Sequence, residues 1–177
     1  AFLVRGINVG GRHKVVMEEF CHDLKELGMS NVSSYINSGN FFFDSSLMKV
    51  ELLLVLERFL NKTYPFIKVF SLFTLEDYQN EVASLPKWWE DDFYRKDVLL
   101  YTERLDKNEM RNVIESLELG DEIIHLGQLG IYWGKFDKSS YNQTAYHKKL
   151  LKAPFYPSIT IRNARTFSKI GHFLRMK

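Results

Sequence analysis

The apolar positions of the chain fall into alternating stretches of strand and helix spacing. Ala1 to Arg5 reads as a strand, ended by the glycine-rich stretch Gly6 to Gly11. Met17, Phe20, Leu24 and Leu27 then recur at helical intervals, with Gly28 where a C-terminal cap belongs. Val32 to Ile36 and Phe41 to Phe43, rich in β-branched and aromatic residues, read as two strands around a turn at Ser38-Gly39-Asn40. Leu47 to Leu60 is a strongly apolar helix and Phe66 to Phe73 a further strand. The order is βαββαβ, that of a ferredoxin-like unit.

The second half repeats the order. Thr74 to Leu85 is a connecting helix that Pro86 stops. Asp97 to Tyr101 is a strand, Asp106 with Glu109 starts a helix through Leu117 that Gly120 closes, and Ile123 to Leu126 with Leu129 to Trp133 form a hairpin. Ser140 begins a helix that ends before Pro154, Ser158 to Ile161 is the last strand, and Asn163 caps a final helix carrying Phe167, Ile170 and Leu174. The expected fold class is α+β: two ferredoxin-like (βαββαβ) subdomains with antiparallel sheets, at residues 1–73 and 96–177. A connecting helix and linker occupy 74–95, and a C-terminal helix ends the second subdomain.

Composition agrees with a packed protein. The 177 residues are 45% hydrophobic and 15% aromatic, which excludes disorder as a description of the whole. The longest uncharged apolar run, Leu52 to Leu56, is far short of the roughly 20 residues that cross a bilayer. With no signal-like opening and one cysteine, Cys21, the expectation is a cytoplasmic protein without a membrane partner. Charge changes the picture more. Residues 135–177 hold 10 Lys/Arg against one acid, whereas residues 47–134 hold 10 against 16. A basic segment interleaved with Phe136, Tyr141, Tyr146, Phe155, Tyr156, Phe167 and Phe173 suits a phosphate-rich partner. The plainer reading docks those lysines on the acidic middle or leaves them as a solvated face.

Candidate chemistry is concentrated in the first loop. Gly6-Ile7-Asn8-Val9-Gly10-Gly11-Arg12-His13 misses the nucleotide-binding P-loop: Arg12 replaces the lysine, His13 replaces the hydroxyl, and the sheet is antiparallel. Glycines leading into a helix start can still aim N–H groups at an anion, with Arg5, Arg12 and Lys14 adding charge. In a ferredoxin-like unit the exit of the first strand and the turn between the second and third share one sheet edge. That brings Gly6–Lys14 near Ser38, Gly39 and Asn40. The five histidines lack metal-ligand spacing, Cys21 reads as packing, and Ser46-Leu47-Met48-Lys49 matches S-x-x-K without its companion motifs. Trp88-Trp89-Glu90-Asp91-Asp92 reads as a wedge with an acidic rim at the junction of the halves.

Three blocks carry a family resemblance: Val4-Arg5-Gly6-Ile7-Asn8-Val9-Gly10-Gly11 with Lys14 and Met17, Ser34 to Asn40, and Thr160-Ile161-Arg162-Asn163 with Thr166 and Lys169. In order and in wording they resemble the bacterial domain of unknown function 1697 family. The resemblance implies two ferredoxin-like subdomains and no established activity. The chain departs from the family pattern with Asn37 in place of glutamine and Ala164-Arg165 in place of tryptophan and asparagine.

The functional expectation is a binding module for a phosphate-bearing ligand, a phosphorylated small molecule or nucleic acid, with no cofactor or metal. Its site would comprise Arg5, Gly6, Asn8, Gly10, Gly11, Lys14, Ser38, Gly39, Asn40, Arg162, Asn163 and Lys169. An aromatic sheet face could also stack bases, although Phe41 to Phe43 equally suit a core. The alternatives are an enzyme acting on a small anionic metabolite between the subdomains, with His13 the nearest to an acid–base group, and a protein–protein interaction domain. No catalytic constellation is identifiable, and oligomeric state is not readable.

Overall fold

The central strands are almost wholly apolar and buried, whereas the edge strand Ser30–Tyr35 is polar and partly exposed. The structure is a computed structural model and describes residues 1–175. The first unit runs β1 (Phe2–Val4), α1 (Met17–Glu26), β2 (Ser30–Tyr35), β3 (Asn40–Asp44), α2 (Lys49–Thr63) and β4 (Phe70–Leu72). Its sheet has the order β2-β3-β1-β4, antiparallel throughout. After α3 (Leu75–Ser84) and a 3₁₀ turn at Lys87–Glu90 come β5 (Arg95–Tyr101), α4 (Lys107–Glu115), β6 (Glu122–Leu126), β7 (Gly130–Lys135) and β8 (Ile159–Asn163). They form a second antiparallel sheet, β6-β7-β5-β8, and α6 (Ala164–Arg175) closes the chain. Both sheets have the ferredoxin-like order, as the sequence pattern implies.

Three of the helix starts read from sequence have their capping bonds, and Ser140 does not. Thr74 and Asp77 bond reciprocally, Asp106 Oδ1 accepts from the N–H of Asn108 and Glu109, and Asn163 Oδ1 accepts from Thr166 N–H at 2.8 Å. One expected helix is broken. The segment from Ser140 towards Pro154 is a 3₁₀ turn at Tyr141–Gln143, a single helical turn α5 (Ala145–Lys148) and another 3₁₀ turn at Leu150–Lys152. Thr144 caps α5 through His147 N–H, and the buried Glu122 carboxylate holds the N–H groups of Ala145 and Tyr146 at 2.6 and 3.0 Å. The chain restarts its helix at that anchor. The expected strand Phe66–Phe73 is reduced to β4 because Ile67 N–H turns back to the Tyr64 carbonyl at 2.9 Å.

Period-two alternation distributes side chains between two faces of each sheet, and helices cover both. In the first sheet Phe2, Val4 and Phe41 point to Phe20 and Leu24 of α1 and Leu56 and Phe59 of α2. In the second, Leu99, Ile131 and Trp133 point to Met110 and Ile114 of α4 and Tyr146 of α5. The alternate positions, Leu3 and Phe42 on one side and Val98, Leu100 and Tyr132 on the other, share a third cluster with Tyr78 of α3 and Phe167, Ile170 and Leu174 of α6. The two subdomains are thus joined by a continuous apolar layer against which Trp88 and Trp89 also pack. Phe41 and Phe42 have no exposed surface, so these rings belong to the core and offer no stacking platform for bases.

Candidate functional site

The glycine loop is shaped by its backbone. Gly10 and Gly11, both at positive φ, form the tip of a two-residue turn closed by Arg12 N–H to the Val9 carbonyl at 3.1 Å. Asn8 ties the loop down: its amide bonds Val15 N–H and C=O and reaches the Asn37 carbonyl at 3.0 Å. The loop therefore lies beside the β2–β3 turn, the shared edge that topology implies. Gly39 seals the contact, since at φ +80° a Cβ there would collide with Val4 and Ile7. His13 stacks on Phe66 with ring centroids 4.7 Å apart.

The third block also reaches this edge, through Arg162. Its Nε donates to Asn40 Oδ1 at 2.6 Å, Nη1 to the Ile161 carbonyl at 2.8 Å, and Nη2 to the carbonyls of Val4, Ser38 and Gly39 at 2.9, 2.8 and 3.1 Å. Among the described residues no carboxylate pairs with it. Burial pulls the guanidinium down to about 10, so it stays protonated at neutral pH. Arg5 makes the opposite crossing, donating to the Ile159 carbonyl of β8 at 2.6 Å with its guanidinium 4.4 Å from the Tyr156 ring centre. Two arginines thus clasp the units together in opposite directions.

The twelve expected site residues divide accordingly. Arg5, Asn8, Ser38, Gly39, Asn40 and Arg162 converge on one junction, where their polar groups bond one another and the backbone. Asn40 is fully buried, donating to the Tyr35 carbonyl and Ser38 Oγ while accepting from Arg162. Asn163 caps α6. Gly6, Gly10, Gly11, Lys14 and Lys169 remain exposed, with Lys169 on α6 rather than in the loop.

What faces solvent at the loop is a cleft of about 690 Å³ whose lining includes Asn8, Gly11, Lys14, Val16, Glu18 and Asn37. The start of α1 opens on it with Val16 at the cap position, so no side chain caps the first-turn N–H groups. A second cleft, about 340 Å³, lies between α3 and α6 against Tyr78, Trp89, Phe167 and Ser168. The basic C-terminal segment does not form one patch. Lys135 and Arg162 are buried, Lys138, Lys148, Lys149 and Lys152 are exposed between β7 and β8, Arg165, Lys169 and Arg175 are exposed on α6, and Lys177 lies outside the described residues. No group of His, Cys, Asp and Glu among the described residues could hold a metal ion, and no helix is long and apolar enough to cross a membrane.

The model of the family described as protein of unknown function (DUF1697) matches residues 1–132. The chain belongs to the DUF1697 family. The match contains the Gly6–Gly11 loop and the Ser34–Asn40 block and stops before Arg162. The DUF1697 chain is also similar to a solved structure, conserved bacterial protein SP0830 from Streptococcus pneumoniae. The two are 57% identical, with a TM-score of 0.96 over 98% of this chain and 96% of the other. No curated protein matches.

One buried polar cluster escaped the sequence reading. Lys135 Nζ lies 2.5 Å from Asp97 Oδ2, which also accepts from Arg95 Nε at 2.8 Å, and sits 3.2 Å from the Tyr146 ring centre. Burial pulls Lys135 down to about 8, opposed by the Asp97 charge. Glu122 completes the cluster, accepting from Trp133 Nε1 as well as from α5. A signal was available: Lys135 shares the parity of Ile131 and Trp133, and Asp97 that of Leu99, so alternation points both into the core.

Proposed function

We propose that this DUF1697 chain is a binding module for a phosphate-bearing ligand, held at the glycine loop and the start of α1. The observation that carries the reading is the uncapped first turn of α1 opening onto the 690 Å³ cleft beside the Gly10-Gly11 turn. Unpaired helix N–H groups and the positive end of the helix dipole favour an anion, and the exposed Arg12 and Lys14 supply full charges nearby. Glu18, on the cleft wall, favours a ligand that also carries hydroxyl or amine donors able to meet a carboxylate, as the sugar and base of a nucleotide do.

The test is an amide chemical-shift titration with pyrophosphate and, separately, a short single-stranded oligonucleotide at low salt. Shifts are expected at Gly10, Gly11, Lys14 and Met17. R12E/K14E should weaken binding at least about tenfold, and the oligonucleotide affinity should fall with salt at a slope near −1.4 for two neutralised phosphates. No binding of either probe at low salt, or shifts confined to α6, would overturn the assignment.

A further inference from the structure

The least expected surface of the molecule is the outer face of α2. Leu52, Leu56, Phe59 and Leu60 bury one side of this helix in the first core. The opposite side should be polar. Instead Val50 and Leu54 stand there four residues apart, with Met48 exposed at the helix cap, and these three side chains keep 50–71% exposure. Each lone exposed aliphatic is ordinary, but Val50 and Leu54, adjacent on the side away from Leu52, Leu56 and Phe59, make an unpartnered seam.

We propose that the partner is a second copy of this chain, its α2 packed antiparallel on the first about a two-fold axis near Leu54. The charges decide the occupant and the orientation. Exposed Glu51 and Arg58 lie on the same flank of the seam, three residues before and four residues after Leu54. A two-fold axis perpendicular to both helices keeps that flank facing its own copy while reversing direction. Glu51 of each helix then meets Arg58 of the other, twice. A parallel pairing would leave both charges without an opposite partner. Glu51 keeps one oxygen for this role, since only Oε2 is engaged, by Met48 N–H at 3.0 Å.

The seam offers on the order of 400 Å² per copy, about half of a standard interface, so the association is weak and concentration-dependent. Sedimentation velocity from about 10 μM to about 1 mM should show a reversible monomer–dimer equilibrium. R58E and E51R should each weaken it at least about tenfold, and the double swap E51R/R58E should restore it to within about threefold of the parent. L54K, at an exposed position, should abolish it without changing the melting curve. A monomer throughout, a dimer indifferent to L54K, or folded single variants that the double swap fails to rescue would overturn the proposal; in the first case the seam serves a different partner.

Discussion

Replacing Arg162 by leucine isolates the contribution of the clasp between the subdomains. The guanidinium serves four backbone carbonyls and the Asn40 amide oxygen. The Gly39 carbonyl also receives Val4 N–H at 2.9 Å and keeps that bond in the variant. Asn40 Oδ1 and the Ser38 carbonyl lose the donor described above, and Asn40 is wholly buried. Leaving the buried Asn40 Oδ1 and the partly buried Ser38 carbonyl short of a donor costs about 1–3 kcal/mol each. Release of the buried charge offsets part of this, and the net loss is about 2–4 kcal/mol. For a chain of this length that lowers Tm by about 10 °C.

Urea and thermal unfolding followed by circular dichroism measure the loss. R162K should recover at most about half of it, because an ammonium cannot span acceptors arranged for a planar fork. A double-mutant cycle with N40A should show coupling above about 1 kcal/mol. A loss under about 1 kcal/mol, or a lysine variant equal to the parent, would refute the view that Arg162 joins the subdomains.

Two further predictions concern the second unit. E122A leaves Trp133 Nε1 and the N–H groups of Ala145 and Tyr146 unpaired, so stability should fall by about 3–5 kcal/mol. Limited proteolysis should then cut first between Ser140 and Ala153, and unchanged protection there would count against the anchor. Lys135, lowered to about 8 in the folded protein, binds fewer protons there than in the unfolded chain above that pH. Its contribution therefore makes stability rise with pH, beginning near pH 8 and ending near the ordinary lysine value. The stability of the parent relative to K135M should increase by about 2 kcal/mol between pH 8 and pH 10, measured by urea unfolding. A flat difference would show that Lys135 titrates as if in water.

The clasp also revises what the glycine block and the β2–β3 turn are for. Arg5, Asn8, Ser38, Asn40 and Arg162 are polar residues in distinctive motifs, and such residues invite a ligand-binding reading. In the structure Ser38, Asn40 and Arg162 bond one another, while Arg5 and Asn8 bond backbone groups of neighbouring segments. A ferredoxin-like unit ends two connections at one sheet edge, and the second unit needs a directional contact there that apolar packing cannot supply. Carbonyls converging on a guanidinium provide it, at the cost of stripping that charge of water.

Local physics was legible in the amino-acid order. Spacing located the strands and helices, Thr74, Asp106 and Asn163 announced three helix starts, Gly28 and Gly39 marked turns, and chain topology brought the first loop beside the second block. These follow from steric and hydrogen-bonding preferences acting within a few residues. The break at α5 and the shortening of β4 were not legible, because Glu122, some twenty residues away from the segment it anchors, and the Tyr64 turn decide them. Nor was the fate of Arg162 or Lys135. A cation in a sequence carries the same charge whether water, an anion or a ring of carbonyls surrounds it. Only the packing of helices on both faces of the two sheets determines which cations are enclosed, as Arg162 and Lys135 are, and which, like Lys14 and Lys169, stay exposed.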